Sequence, residues 1–417
     1  MSKTKESQFK HVEWSQSANI YEVNIRQFTP EGTFNAFKSH LPRLKKMGVD
    51  ILWFMPIHPV GIKNRKGCMG SGYSVKDYYG VNPEFGTLQD FKTLVQEIHD
   101  MGMYVLIDWV ANHTAWDNHW VSEHPEWFKK DQKGEIHSYV YHNGKELEYW
   151  DDVVGLDYKK PELWDAMINA LSYWVKDVDI DGYRCDVAGL VPTEFWEKAR
   201  AELDSIKPVF MLAEWASPEL HNKAFDMTYD WGLYDAMSDI VKGKSSVSAI
   251  KEHIELSAVE YPEHAYRMAF TSNHDKNSWE TCDAELYGPA FKAYSVLAAT
   301  LSGMPLIYSG QESGLNKQLS FFAKDEIEWQ EFQHDDFYQQ LLALKKNNPV
   351  LWNGQYGARP EVLEETSESV FCFSREKEQN SVVVMINLSD SSQQFYSNKL
   401  LQEVKLKPFE YKITTFN

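Results

Sequence analysis

Arg184 and Asp186 stand two residues apart in Gly182-Tyr-Arg-Cys-Asp, at the end of the apolar-polar run from Val178 to Val187. If that run is a strand, both side chains project to the same face. A carboxylate fixed beside a guanidinium stays ionised, as a nucleophile at neutral pH must be. Taken singly, a structural ion pair explains these two residues equally well. Three other strand-like runs end in the same polar manner: Asp108-Trp-Val-Ala-Asn112-His113, Ala213-Glu214-Trp215 and Ser272-Asn273-His274-Asp275. Each has a bland alternative as a turn, a rim salt bridge or a helix cap. Four such endings together point to one site.

Paired carboxylates do acid-base and nucleophilic work. Cleaving a glycosidic bond with retention needs one ionised carboxylate and one protonated carboxylic acid about 5 Å apart. Asp186 suits the first role. Glu214 suits the second, because desolvation beside Trp215 and the charge of Asp186 would raise its pKa. Asp275 would add negative charge for a positively charged, distorted ring, with His113 and His274 donating hydrogen bonds.

Elements must bring these residues together. Strand-like runs lie at Ile20 to Phe28, Val49 to Pro56, Met103 to Val110, Ile180 to Val187, Pro208 to Trp215, Asp226 to Trp231, Arg267 to Thr271 and Met304 to Ser309. Helical patterns alternate with them, at Phe34 to Met47, Thr87 to Met101, Pro161 to Asp177, Thr193 to Ser205 and Asp336 to Lys346. Strand-helix alternation of this kind closes as a parallel (β/α)8 barrel, which carries its chemistry at the strand C-terminal ends. The barrel is interrupted by a small subdomain rich in His, Trp and Tyr, and β-prone runs after Pro349 form a C-terminal antiparallel β domain. The expected division is 1–111 and 159–348 for the barrel, 112–158 for the insertion and 349–417 for the β domain.

Composition narrows the partners. A net charge of -19 and a pI near 5.2 argue against nucleic acid or an anionic membrane. The 15 Trp, 22 Tyr and 22 Phe leave aromatics beyond the needs of a core, and these suit the apolar faces of sugar rings. The 4 Cys are widely spaced, so free thiols are expected rather than a disulfide framework. Met1 to Lys10 is polar, with no apolar leader-like run, so a cytoplasmic protein is expected. Nothing in the sequence specifies an oligomeric state.

The motifs resemble the α-amylase family of glycoside hydrolases, family 13, over nearly the whole chain. They are DxxxNH at Asp108 to His113, GxRxD at Gly182 to Asp186, the isolated Glu214, and NHD at Asn273 to Asp275. Gly72-Tyr73, Asp77-Tyr78-Tyr79, the run Asn82 to Thr87 and the run Gly303 to Glu312 agree as well. The resemblance implies Asp186 as nucleophile, Glu214 as acid/base and Asp275 as transition-state stabiliser. It further implies that Tyr73 stacks on the sugar before the scissile bond, held also by His113, Arg184 and His274. Asp108 and Trp215 complete the expected binding set. Many relatives follow the GxRxD motif with a Lys-His pair, where this chain has Gly189 and Leu190. Asn112 and Asp157 stand where the family often has calcium ligands, with Asp151 and Asp152 as alternatives, so calcium is a possible cofactor.

A short insertion and a compact connection after the eighth strand suggest an open cleft. The expected substrate is an α-glucan, starch, glycogen or maltodextrin, cleaved internally at α-1,4 bonds. Trp116, Trp120, Trp127, Tyr149 and Trp150 are candidate stacking platforms, with core packing the alternative for at least half of them. Lys63 and Arg65 are candidates for touching sugar hydroxyls. The same apparatus serves cyclomaltodextrinases, neopullulanases, α-glucosidases and glucan transferases. A catalytically silent carbohydrate-binding partner is the non-enzyme alternative, disfavoured because all three carboxylates are present.

Overall fold

The computed structural model describes residues 9–329 and 331–416 of the chain. Eight parallel strands close a barrel: β1 (Ile20–Val23), β2 (Ile51–Phe54), β3 (Tyr104–Val110), β7 (Gly182–Asp186), β8 (Phe210–Ala213), β9 (Met227–Tyr229), β10 (Tyr266–Ala269) and β11 (Met304–Tyr308). The missing numbers, β4 (His113–Ala115), β5 (Ser138–His142) and β6 (Leu147–Gly155), form an antiparallel sheet of order β4-β6-β5 in the insertion. Strand alternation builds two cores. Ile51, Trp53, Leu106, Leu212 and Met268 fill one cluster, while Leu52, Phe54, Val105, Met211 and Ala269 join the other with the helices.

All eight expected strands are present, each shorter than its apolar run. The first stops at Val23, and Ile25–Phe28 turns into one helical turn. Helix Leu88–Asp100 opens on a capping box between Thr87 and Asp90. The single helix expected from Phe34 to Met47 is instead three pieces, Phe34–Phe37, a 3-10 turn Lys38–His40, and Leu41–Met47. Pro42 is the reason: it lacks an N–H and its ring crowds the carbonyl four residues back.

After β11 the chain runs largely without regular structure from Gln311–Ser313 to helix Asp335–Asn347. This connection is larger than the compact loop expected, and it reaches the cleft described below. Four C-terminal strands, β12 (Pro360–Val362), β13 (Val370–Lys377), β14 (Asn380–Asn387) and β17 (Tyr411–Phe416), pair in the order β12-β13-β14-β17. β15 (Gln393–Ser397) and β16 (Gln402–Leu406) form a hairpin beside them. Buried Arg375 ties β13 to the barrel by donating to the carbonyls of Thr300, Leu301, Trp352 and Ala358.

All four cysteines are free, Cys68 exposed and the others buried. Among the described residues no helix is long and apolar enough to cross a membrane.

Candidate active site

The site begins with a glycine. Gly182 opens β7 at φ 151°, and a Cβ there would lie 1.9 Å from Phe210 O, so no other residue lets β7 sit this close to β8. On the other edge of β7, paired with β3, Asp108 lies opposite Arg184 and Val110 opposite Asp186. Arg184, fully buried, is the hub. Its Nη1 lies 2.9 and 3.1 Å from the Asp108 oxygens and 3.1 Å from Asp186 Oδ1, and its Nε donates to Tyr229 Oη at 3.1 Å. Its Nη2 lies 2.8 Å from Glu214 Oε1, a charge contact in which the N–H is not aimed along the line.

Val187 follows Asp186 in the left-handed region at φ 39°, ψ 45°. For a β-branched residue this conformation costs about 1–3 kcal/mol. The Val187 N–H donates to Glu214 Oε2 at 2.7 Å, so with Arg184 on Oε1 Glu214 is held from two sides. A second chain of contacts starts at Tyr73, whose Oη donates to Asp108 Oδ2 at 3.0 Å and lies 2.9 Å from His274 Nε2. His274 Nε2 is also 3.4 Å from Asp275 Oδ2. His113 Nε2 stands 4.0 Å from Asp186 Oδ2. Asp186, Glu214, Asp275, Tyr73, His113 and His274 all line one cleft of about 540 Å³.

Acids outnumber cations here, and the titration shifts follow. Burial, then the charge of Glu214, raises Asp186 well above the usual carboxylate range against the pull of Arg184. Burial raises Glu214 too, again opposed by Arg184. The charge of Glu214 adds to burial in raising Asp186, and the charge of Asp275 adds to burial in raising Glu214. Burial holds His113 down to about 3. For His274 burial works downward, but the charges of Asp275 and Glu22 carry it up to about 9.

The structure places three of the expected binding residues outside the cleft lining. Arg184 and Asp108 are wholly buried and do not line the cleft, because they lie beneath it and hold the acids in place. Trp215 is not in the cleft lining either, since its ring lies over Gly189, where a Cβ would be 2.2 Å away. This packing leaves no room for a side chain at Gly189. Of the candidate platforms, Trp120 and Trp127 are core residues and Tyr149 is exposed, while Trp150 lines the cleft. Lys63 lies over the Trp116 ring and Arg65 donates to Val60 O and Gly61 O, so neither lines the cleft.

Glu22, Lys66, Trp279, Phe321 and Phe322 join the site without belonging to any of its sequence motifs. Lys66 lies 3.3 Å from Asp152, joining the loop after β2 to the insertion. Trp279 and Phe321 pack with ring centroids 5.0 Å apart at the rim. Glu22 alone carried a visible signal, a lone acid inside the apolar strand Ile20–Val23.

The expected calcium ligands do not fit that ion as placed. Asn112 and Asp157 adjoin, with Leu156 N donating to Asn112 O at 3.0 Å. However, the Asn112 side-chain amide faces His113 Nδ1 at 3.1 Å, and Asp157 Oδ1 accepts from Lys159 N at 3.2 Å. Lys129, its Nζ 4.9 Å from the Tyr139 ring centroid, brings a positive charge that bears on both Asp157 and His113. Calcium takes six to eight oxygens. Asp151 offers its carbonyl to Trp116 and Asp152 is paired with Lys66, which leaves no oxygen cage at this corner among the described residues.

The model of the alpha amylase catalytic domain matches residues 6–357. The chain therefore belongs to the α-amylase family of glycoside hydrolases. It is 27% identical over 426 residues to Alpha-amylase 2 of Dictyoglomus thermophilum, covering 92% of this chain and 72% of that protein. A cyclomaltodextrinase of Thermoanaerobacter pseudethanolicus is also 27% identical, with 86% of this chain and 63% of the relative covered. Among solved structures, an alpha-amylase from Lactobacillus plantarum superposes with a TM-score of 0.85 at 30% identity, over 97% of this chain and 100% of that one. A maltogenic alpha-amylase, AmyB, from Thermotoga neapolitana gives 0.83 at 29% identity, over 96% and 98%.

Proposed function

We propose that the protein hydrolyses internal α-1,4-glucosidic bonds of starch, glycogen or maltodextrin with retention of configuration. One observation carries the reading: a single buried guanidinium contacts both Asp186 and Glu214 on the wall of an open cleft. That suits the short carboxylate separation of a double displacement, about 5 Å.

In the first step Asp186 attacks the anomeric carbon while Glu214 protonates the departing glycosidic oxygen. Positive charge growing on the ring favours the ionised form of Asp186, while burial keeps a proton on Glu214 for the leaving group. The bond to Asp186 forms as the glycosidic bond breaks. Glu214, now a carboxylate, takes a proton from water, and the hydroxide oxygen displaces Asp186 from the opposite face. Asp275 adds negative charge beside the ring in both steps. Asp108 and Arg184 act from beneath by fixing the two acids. The binding set is Tyr73, His113 and His274. No step runs through a metal.

A second reading is favoured by one contact set. Lys66 with Asp152, and Met69 N donating to Phe322 O at 3.0 Å, narrow the cleft on the Tyr73 side. Such narrowing suits release of short units or cleavage of cyclodextrins. A time course on soluble starch and on maltoheptaose, resolved by chain length, separates the two. Internal cleavage gives a rapid fall in polymer size with mixed oligosaccharides. Maltose or glucose alone, with the polymer staying long, overturns it in favour of the second.

A further inference from the structure

We infer that Glu22 is a positioning residue for this site, holding the His274 imidazole doubly protonated so that its Nε2–H faces the cleft. Glu22 sits on β1 and is completely buried. Its Oε1 lies 2.5 Å from His274 Nδ1, while its Oε2 has no hydrogen-bond partner. On the other side of the ring, Nε2 lies 2.9 Å from Tyr73 Oη. The Tyr73 proton is directed to Asp108 Oδ2 at 3.0 Å, so its oxygen accepts from Nε2. Asp275 Oδ2, 3.4 Å from the same nitrogen, is a second acceptor. Both ring nitrogens therefore face acceptors, and both need a hydrogen.

The groups facing the imidazole come from several elements. Glu22 from β1, Asp275 from the same loop and Asp108 from β3 are acids; Arg184 from β7 is the opposing cation, Glu214 lies beyond it, and Tyr73 closes the side. Two acids in direct reach outweigh one shared guanidinium. Without the Glu22 charge the ring would lose a proton near neutral pH, and Nε2 would turn from donor to acceptor. A neutral ring cannot both donate to Glu22 and donate into the cleft.

The inference rests on the proposed reaction only in taking the Nε2 side to face the sugar. The test is Glu22→Gln in the full chain, which keeps size and an acceptor oxygen but removes the charge. NMR of ring-15N-labelled protein should show His274 losing its proton at least one unit lower than in the unaltered protein. The alkaline limb of kcat/KM should move down with it, kcat/KM at pH 8 falling up to about 10-fold as the ring titrates near neutrality, while the acid limb stays. Glu22→Asp, with the charge restored, should recover part of both. Coincident His274 titrations, or an alkaline limb that does not move, would overturn the inference. If the unaltered protein fails to act on glucans, the proposed function falls, and the imidazole titration still decides the role of Glu22.

Discussion

Two buried carboxylate networks lie at opposite ends of the same barrel, and they are built from the same parts. At the N-terminal end of β9, Asp226 meets Arg200 Nη1, His11 Nδ1 and Met211 N, each at 2.8 Å. Burial works against ionisation there, yet Arg200 and His11 hold Asp226 below the usual carboxylate range. At the other end Arg184 is divided among Asp108, Asp186 and Glu214, and burial leaves all three raised. Burial is common to both ends, so it cannot be what distinguishes them. The ratio of acids to donors is. A satisfied acid stabilises the fold, and an underserved one stores a proton and a charge that a reaction can use.

The largest difference is expected at the end that carries the cleft. Asp186→Asn should lower kcat by a factor of about 10⁴ or more. Its thermal midpoint at pH 7 should be equal to or above that of the unaltered protein, because a repelled charge has been removed. A midpoint several degrees lower would mean that Asp186 is a structural ion-pair member after all.

Asp226→Asn should do the reverse. Breaking a buried pair costs about 3–5 kcal/mol, readable by denaturant unfolding, while kcat per folded molecule stays within about twofold of the unaltered protein's. Lost turnover without lost stability would erase the distinction between the two ends.

The pH dependence sharpens it. Asp226 has a lowered folded pKa, so its contribution is complete above its ordinary value near 4 and is lost as pH falls through the lowered one. Asp186 has a raised folded pKa, so the fold binds its proton more tightly than the unfolded chain does. Stability from that group is greatest in acid and declines as pH rises toward the raised value. The midpoint of Asp186→Asn should therefore draw further above that of the unaltered protein between pH 4 and pH 7, while the deficit of Asp226→Asn should shrink toward pH 3. Parallel curves would contradict the assigned shifts.

The smallest effect concerns the corner of Asn112 and Asp157. With Lys129 supplying positive charge there, treatment with a chelator should change turnover by less than about twofold. A loss of tenfold or more that added calcium restores would return those two residues to the role expected from the family resemblance.

Much of this was legible beforehand, and unevenly. Period and punctuation exposed all eight barrel strands, since a parallel strand buried on both faces reads as a short apolar run ended by polar residues. β12, β15 and β16 escaped because short, polar edge and hairpin strands carry little apolar signal. The helix from Phe34 was misread across Pro42, where a local rule overrode the amphipathic pattern. Phe321 and Phe322 were invisible as cleft residues, because a loop without period says nothing about where it lands.

The sequence by itself determined the residue types at the strand ends, the order of strands and helices, and hence the family. Those depend on covalent spacing and side-chain periodicity, which the linear chain states directly. Only the tertiary structure decided that Asp108 and Arg184 lie beneath the cleft, that Trp215 fills the space over Gly189, and that Glu22 reaches His274 from the first strand to the seventh. These are relations between elements far apart in the chain. Their distances arise when the barrel closes, and they set burial, the sharing of protons and the balance of charge at the site.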